Sequence, residues 1–353
     1  MRQRRKQDSR RVTVKDLAKD LGMSVSTVSR AFYPDAVIAE PTRKTVLERA
    51  AELGYRPNPF AQSLITKRTQ IAGMVVSDLT NPFYPEVMTQ MLARLQAVGM
   101  NVMLAAANEP DQTDEAVDLL LSYQPDLLIV LAVTLSSHAW EKCEQGGTPC
   151  IFFNRLSANG QGFGISCDNE MGGRQVADFL IDTGHRNLLY VSAFPDASTN
   201  VERYAGFRAR TIERGLAEPE VLEAGLFTYE AGYQAGLNMA HLKGKIDGVF
   251  CANDIVAIGF MEGAQAGSGL RVPDDLSVVG FDDITMAGWP SHELTTVPQP
   301  LEDMMEAIVG LALELSNSSA RPSQKIHCFA PGKMIIRNST RSRVQTSKDL
   351  SYA

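Results

Sequence analysis

From residue 71 onward the chain alternates short apolar runs with longer amphipathic stretches. The runs predict strands at Ile71–Val76, Asn101–Ala106, Asp126–Val133, Pro149–Asn154, Asn187–Ala193, Asp247–Ala252 and Leu276–Phe281. Between them, apolar residues recur at helical spacing over 85–98, 111–122, 170–183, 201–214, 229–242 and 254–266. Strands separated by whole helices pair through crossovers, so the alternation predicts βαβ units and parallel sheets. Residues 71–340 exceed one comfortable doubly wound domain, which predicts two lobes. In such sheets a ligand sits outside the carboxyl ends of the strands, where the loops leave.

Before residue 71 the pattern is helical throughout. Thr13-Val14-Lys15-Asp16 reads as a helix start, with Thr13 as cap and Asp16 suited to the positive helix end. Leu17, Ala18 and Leu21 give that helix an apolar face, and Gly22 stops it. Ser24 caps a second helix through Val25-Ser26-Thr27-Val28-Ser29-Arg30-Ala31-Phe32. Two short helices joined by a glycine turn have the form of a helix-turn-helix, whose second helix enters the major groove of DNA. A third helix begins near Pro41, carries Val46, Ala50 and Leu53 on one face, and ends at Gly54. Asn58 can cap a further helix opened by Pro59, but only about two turns follow before Lys67-Arg68. So short a helix is marginal alone and orders only when packed.

Charge divides along the same line. Residues 1–70 carry 15 Lys and Arg against 7 Asp and Glu, and the remainder 19 against 34, in a chain of formal net charge −7. A basic head on an acidic body suits a head that meets a polyanion. The 353 residues, 44% hydrophobic, can bury a substantial core. The five cysteines (143, 150, 167, 251 and 328) show no CxxC pairing and read as small core residues of a cytosolic protein. No apolar h-region follows the charged start, and no apolar run approaches membrane-spanning length. The expectation is a cytoplasmic protein with no membrane role.

The segment VTVKDLAKDLGMSVSTVSRAF, with Thr27-Val28-Ser29-Arg30 as its most specific part, resembles the lactose/galactose-repressor (LacI/GalR) family of bacterial transcriptional regulators. The resemblance continues through Tyr55-Arg56-Pro57-Asn58-Pro59-Phe60-Ala61-Gln62-Ser63-Leu64 and the body motifs, over roughly residues 12–340. It implies a fold of the α/β class: an N-terminal helix-turn-helix domain and a two-lobed periplasmic-binding-protein-like core of parallel sheets joined by three crossovers. The expected layout is a disordered basic tail (1–11), the helix-turn-helix domain (12–57), a hinge helix and linker (58–70), an effector-binding and dimerisation domain (71–340) and a polar tail (341–353).

The resemblance implies DNA contacts from Thr13, Ser24, Val25, Ser26, Thr27, Ser29, Arg30, Tyr55, Asn58, Ala61, Ser63 and Leu64. Leu64 would wedge between base pairs in the minor groove, chemistry that suits an apolar side chain. By motif position Asp78, Asn81, Phe83, Asn154, Arg155, Arg203, Phe227, Asn253, Asp282 and Gln299 would bind the effector. Three positions depart from the usual pattern: Tyr33 stands where an Asn is common, Ala39 where a Ser cap is common, and Asn154 where an Asp is common. Carboxylates, amides, a forked Arg and two Phe faces fit a neutral mono- or disaccharide, while the same rings could sandwich a nucleobase or nucleoside. The partners implied are pseudo-palindromic double-stranded operator DNA, the small-molecule effector and a second copy of the chain. The tail after Arg337 has no Leu heptads, so a dimer rather than a coiled-coil tetramer is expected.

Competing functions lack their residues. There is no GxGxxG or GxxxxGK[ST], the five histidines have no metal-ligand spacing, and Ser166 lacks the second glycine of a nucleophile elbow. No enzyme and no metal site is expected. A solute-binding protein would share the body's architecture but has no use for residues 12–64.

Overall fold

The computed structural model describes residues 11–33, 36–58, 63, 68–77, 79–107, 112–131, 137–157, 160–242, 244–316 and 325–341. The chain divides into two compact units, residues 1–69 and 70–353.

The first unit holds α1 (Val14–Asp20), α2 (Val25–Arg30) and α3 (Glu40–Leu53). Thr13 and Asp16 form a reciprocal capping box on α1, and the Ser24 hydroxyl accepts from Thr27 N at 3.0 Å to cap α2. Ala39 gives α3 no side-chain cap, leaving Pro41 in the first turn to pre-set the backbone. Gly54 ends α3 at φ +67, a conformation that costs glycine little. Leu17, Ala18, Val28, Ala31, Val46 and Ala50 form the core where the three helices meet. Arg43 of α3 also donates to Ala31 O (3.0 Å), Tyr33 O (2.6 Å) and Ala36 O (2.9 Å). It satisfies carbonyls left over at the end of α2 and fixes the chain's exit from that helix.

The second unit has two sheets. In the first lobe β1 (Ile71–Val76), β2 (Asn101–Ala106), β3 (Leu127–Leu131), β4 (Cys150–Phe153), β5 (Phe163–Cys167) and β11 (Ile326–Phe329) lie in the order β11-β5-β4-β3-β1-β2. In the second, β6 (Leu188–Ser192), β7 (Glu220–Glu223), β8 (Gly248–Cys251), β9 (Ser277–Asp282) and β10 (Thr295–Pro298) lie in the order β10-β9-β8-β6-β7. All these pairings are parallel. Helices α4 (Phe83–Ala97), α5 (Gln112–Ser122), α6 (Ser137–Gly146) and α11 (Leu301–Ser316) serve the first lobe. Helices α7 (Asn169–Asp182), α8 (Ser198–Glu213), α9 (Tyr229–Leu237) and α10 (Asp254–Ser268) serve the second.

Register brings the strand ends into line: Val76 lies opposite Leu131, and Leu131 opposite Phe153. The chain passes between lobes three times, from Cys167 into α7, from Pro298 into α11, and from Phe329 back to Ile335, which bridges Thr296 in antiparallel sense. The three crossovers agree with the fold implied by the sequence.

Four strands and two helices escaped the apolar pattern. Strands β5, β7, β10 and β11 are short and carry polar residues; β7 is largely exposed and β11 alternates between exposed and half-buried positions. The stretch expected to be helical over 229–242 stops at Leu237 and finishes as a 3₁₀ turn, Asn238–Leu242. Of the five free cysteines four are buried and Cys328 is exposed, so only four serve the core.

Candidate functional site: a helix-turn-helix surface and a two-lobed cleft

In the first unit, Val28 points into the core, while Val25, Ser26 and Arg30 are exposed on the other face of α2 and Ser29 is half-buried. The Ser24 and Thr27 hydroxyls lie 2.8 Å apart at its start. Tyr55 packs edge-on against Phe32, ring centres 5.4 Å apart, so its ring braces the end of α2. Thr13 is tied up in its capping box, Asn58 is exposed, and Ser63 is half-buried. Ala61, Leu64 and Asp78 lie outside the described residues.

In the second unit the expected effector residues gather at the carboxyl ends of the strands. Arg203, on α8, is 1% exposed and centres a bonded cluster. Its Nε donates to Asn169 Oδ1 (2.9 Å), Nη1 to Ala252 O (2.6 Å) and Nη2 to Asp282 Oδ1 (3.0 Å). Its guanidinium lies over the Phe281 ring at 3.7 Å, a cation–π contact in a dry setting. Asp282 also accepts from Gln299 Nε2 at 2.7 Å. Burial pushes the Asp282 carboxyl above its ordinary range, and the charge of Arg203 opposes that shift. Asp282 and Asp283 follow one another at φ 110 and φ 55. Side chains in that region cost on the order of 1–3 kcal/mol each, so the surrounding bonds must hold them.

Across from this cluster, β4 is followed by Asn154, buried at φ 69, and Arg155. The Asn154 amide donates to Tyr84 Oη at 3.4 Å, and Tyr84 packs edge-on against Phe83 at the start of α4. Asn81 accepts from Phe83 N at 3.2 Å and shapes that start. Arg155 reaches from the first lobe to the second, its guanidinium 4.9 Å from the centre of the Phe227 ring. Two buried acceptors, Asn154 Oδ1 and Gln299 Oε1, have no hydrogen-bond partner among the described residues. Asn253 is spent on α10, whose Val256 N donates to it at 3.1 Å.

The models of protein families match in two places. That for bacterial regulatory proteins of the lacI family matches residues 13–58, and that for the periplasmic binding protein-like domain matches 177–340. The HTH-type transcriptional repressor PurR of Vibrio campbellii is 31% identical over 292 residues, 82% of this chain and 87% of that repressor. The chain belongs to the lacI family. It is a DNA-binding transcriptional regulator, and members of this family are regulators rather than enzymes. Among solved structures, the Lac repressor dimer bound to operator and the anti-inducer ONPF superposes with a TM-score of 0.82 at 25% identity, over 94% of this chain and 100% of that one. The complex of the regulator CelR with cellobiose gives 0.70 at 26%, over 93% and 100%.

Against this lacI-family frame, sequence reasoning missed Asn169 and Phe281 of the cluster, Tyr84 across from it, and Asp254, whose Oδ2 accepts from Ile284 N two residues beyond Asp282 at 2.9 Å. Asn169 follows β5, a strand too polar to read. Phe281 looks like any apolar strand residue until Arg203 lies on it. Asp254 was legible, since an acid directly after Asn253 opens an otherwise apolar helix, Ile255-Val256-Ala257-Ile258.

Proposed function

We propose that this regulator binds a mono- or disaccharide between the lobes of its second unit, and that occupancy there sets its affinity for a pseudo-palindromic operator. The supporting observation is the buried Arg203–Asp282–Gln299 cluster, with unfilled acceptors at Gln299 and Asn154. Sugar hydroxyls donate and accept at once, so they answer both the open acceptors and the forked guanidinium. The ring of Phe227 offers an apolar face to C–H groups. The cellobiose complex of CelR adds support by analogy. Asp78, Asn81, Phe83, Arg155 and Asn253 complete the proposed effector residues.

On the DNA side, Val25, Ser26 and Arg30 are the proposed base readers, with Thr13, Ser24, Thr27, Ser29, Tyr55, Asn58, Ala61 and Ser63 supporting them and Leu64 as the minor-groove wedge. The working unit is a homodimer in the cytoplasm. Exposed Leu104 on edge strand β2, with Leu119 on α5 and Tyr123 just beyond its end, offers apolar surface for such pairing.

Thermal-shift screening against mono- and disaccharides, with nucleobases and nucleosides as the contrasting set, tests the effector class. A shift produced only by nucleobases or nucleosides overturns the sugar reading. Operator fragments selected from the source genome then test the head by fluorescence anisotropy. Arg30→Ala is expected to lose about 1–3 kcal/mol of specific affinity, and an unchanged affinity removes α2 from the major groove.

A further inference from the structure

We propose that Asp254 is a positioning residue of the effector site, one carboxyl group that ties together the two chain segments carrying Asp282 and Gln299. The proposal rests on the reading of the cleft as the effector site. The side chain is wholly buried at the first position of α10. Helix capping does not explain it, because Asn253 already caps α10. Instead Asp254 Oδ2 accepts from Ile284 N at 2.9 Å, two residues beyond Asp282, and Oδ1 lies 2.5 Å from the Thr296 hydroxyl, three residues before Gln299. The carboxyl therefore spans the end of β9 and the body of β10 at once.

The neighbouring residues make room for this arrangement. A Cβ on Gly280 would stand 2.1 Å from Asp254 Oδ1, so only glycine lets the carboxyl lie against β9. The turn it holds contains Asp282 and Asp283 in the left-handed region. Asp283 has its own anchor in Arg337 (2.7 Å) and Asp282 has Arg203, which leaves Ile284 N as the third point of attachment. Without that point the turn can relax and carry the Asp282 carboxylate away from Arg203 and Gln299.

No cation pairs with Asp254 among the described residues. Burial, then the neighbouring Asp282, push its carboxyl well above the usual carboxylate range, and Asp283 adds to the shift. Asp254 thus accepts at both oxygens, from Ile284 N and from the Thr296 hydroxyl. An asparagine keeps that shape, with Oδ1 to accept from Ile284 N and an amide N–H that the Thr296 hydroxyl oxygen can accept.

Crystal structures of three effector-free variants test the proposal. Asp254→Ala is expected to shift the 282–284 turn and break the Asp282–Arg203 bond. Asp254→Asn is expected to keep both. Thr296→Val, which removes one tie and serves if the alanine variant does not fold, is expected to displace Gln299 while leaving Asp282 in place. Retention of the wild-type turn in Asp254→Ala, or of Gln299 in Thr296→Val, overturns the positioning role. None of these readouts needs the effector. Failure of the sugar reading shows separately, in a ligand screen where Asp282→Ala binds as wild type does.

Discussion

Arg203 and Asp282 form an ion pair with side chains only 2% and 4% exposed, joining α8 to the end of β9 across the interior of the second lobe. A buried pair of this kind adds little over an apolar pair, but removing one partner strands the other charge. Arg203→Ala is therefore expected to destabilise the second unit by about 3–5 kcal/mol, visible as a lower urea midpoint. Arg203→Lys, which cannot reach Asn169, Ala252 and Asp282 at once, should fall between. A wild-type midpoint for the alanine variant would falsify the idea that this pair holds the lobe.

Arg155 and Phe227 meet from opposite lobes. A desolvated cation–π contact contributes roughly 0.5–2 kcal/mol, enough to bias the lobes toward closure. Arg155→Ala should speed amide hydrogen exchange around Phe227 and the start of α9, with little change in the core strand β8. Equal exchange in both proteins would show that the guanidinium merely rests on the ring.

The uncapped start of α3 offers a gain of stability. Replacing Ala39 by Ser supplies a side-chain acceptor for the free N–H groups of the first turn and should add about 0.5–1 kcal/mol to the first unit. Thermal unfolding followed by the helical signal of residues 1–69 alone tests this. A lower midpoint would mean that Pro41 already dictates a backbone the serine cannot cap.

His185 carries a pH dependence. Its Nδ1 faces Leu180 O at 2.9 Å and must donate, so Nε2 accepts from the Ser277 hydroxyl at 2.8 Å. Burial lowers its pKa below the ordinary 6.5. Below pH 6.5 the unfolded chain takes up a proton that the folded imidazole refuses. Stability conferred by the neutral ring is thus present above 6.5 and lost as the pH falls toward the folded value. The urea midpoint of His185→Gln should decline less steeply than wild type on acidification through that range. Parallel declines would exclude His185 as a source.

How far these features could be read from sequence varies with the kind of residue. The capping pairs Thr13–Asp16 and Ser24–Thr27 are local, and so was the helix-turn-helix. Arg203, Asp282 and Gln299 were legible by motif position through the family resemblance, and the structure bonds Asp282 to both of the others. Asn169 and Tyr84 were not, because each acquires its partner through a crossover or a neighbouring strand end rather than through its own segment. Strand β10 hid for a similar reason: Thr295 and Thr296 are fully buried, yet their hydroxyls are satisfied by Thr340 and Asp254, partners remote in sequence.

The third crossover bears on how the protein is made. Strand β11 closes one edge of the first sheet, and the residues after it bind back into the second lobe, where Ser339 Oγ donates to Val278 O at 2.7 Å and Arg341 N to Ser277 Oγ at 3.0 Å. Neither lobe is complete until the last of these residues has left the ribosome. Strands laid down earlier, β5 beside β11 and β9 beside Ser339, must wait with an unfinished neighbour, a state in which exposed apolar surface invites aggregation. During synthesis the two lobes therefore mature together, and a truncation that removes 325–341 leaves both unfinished.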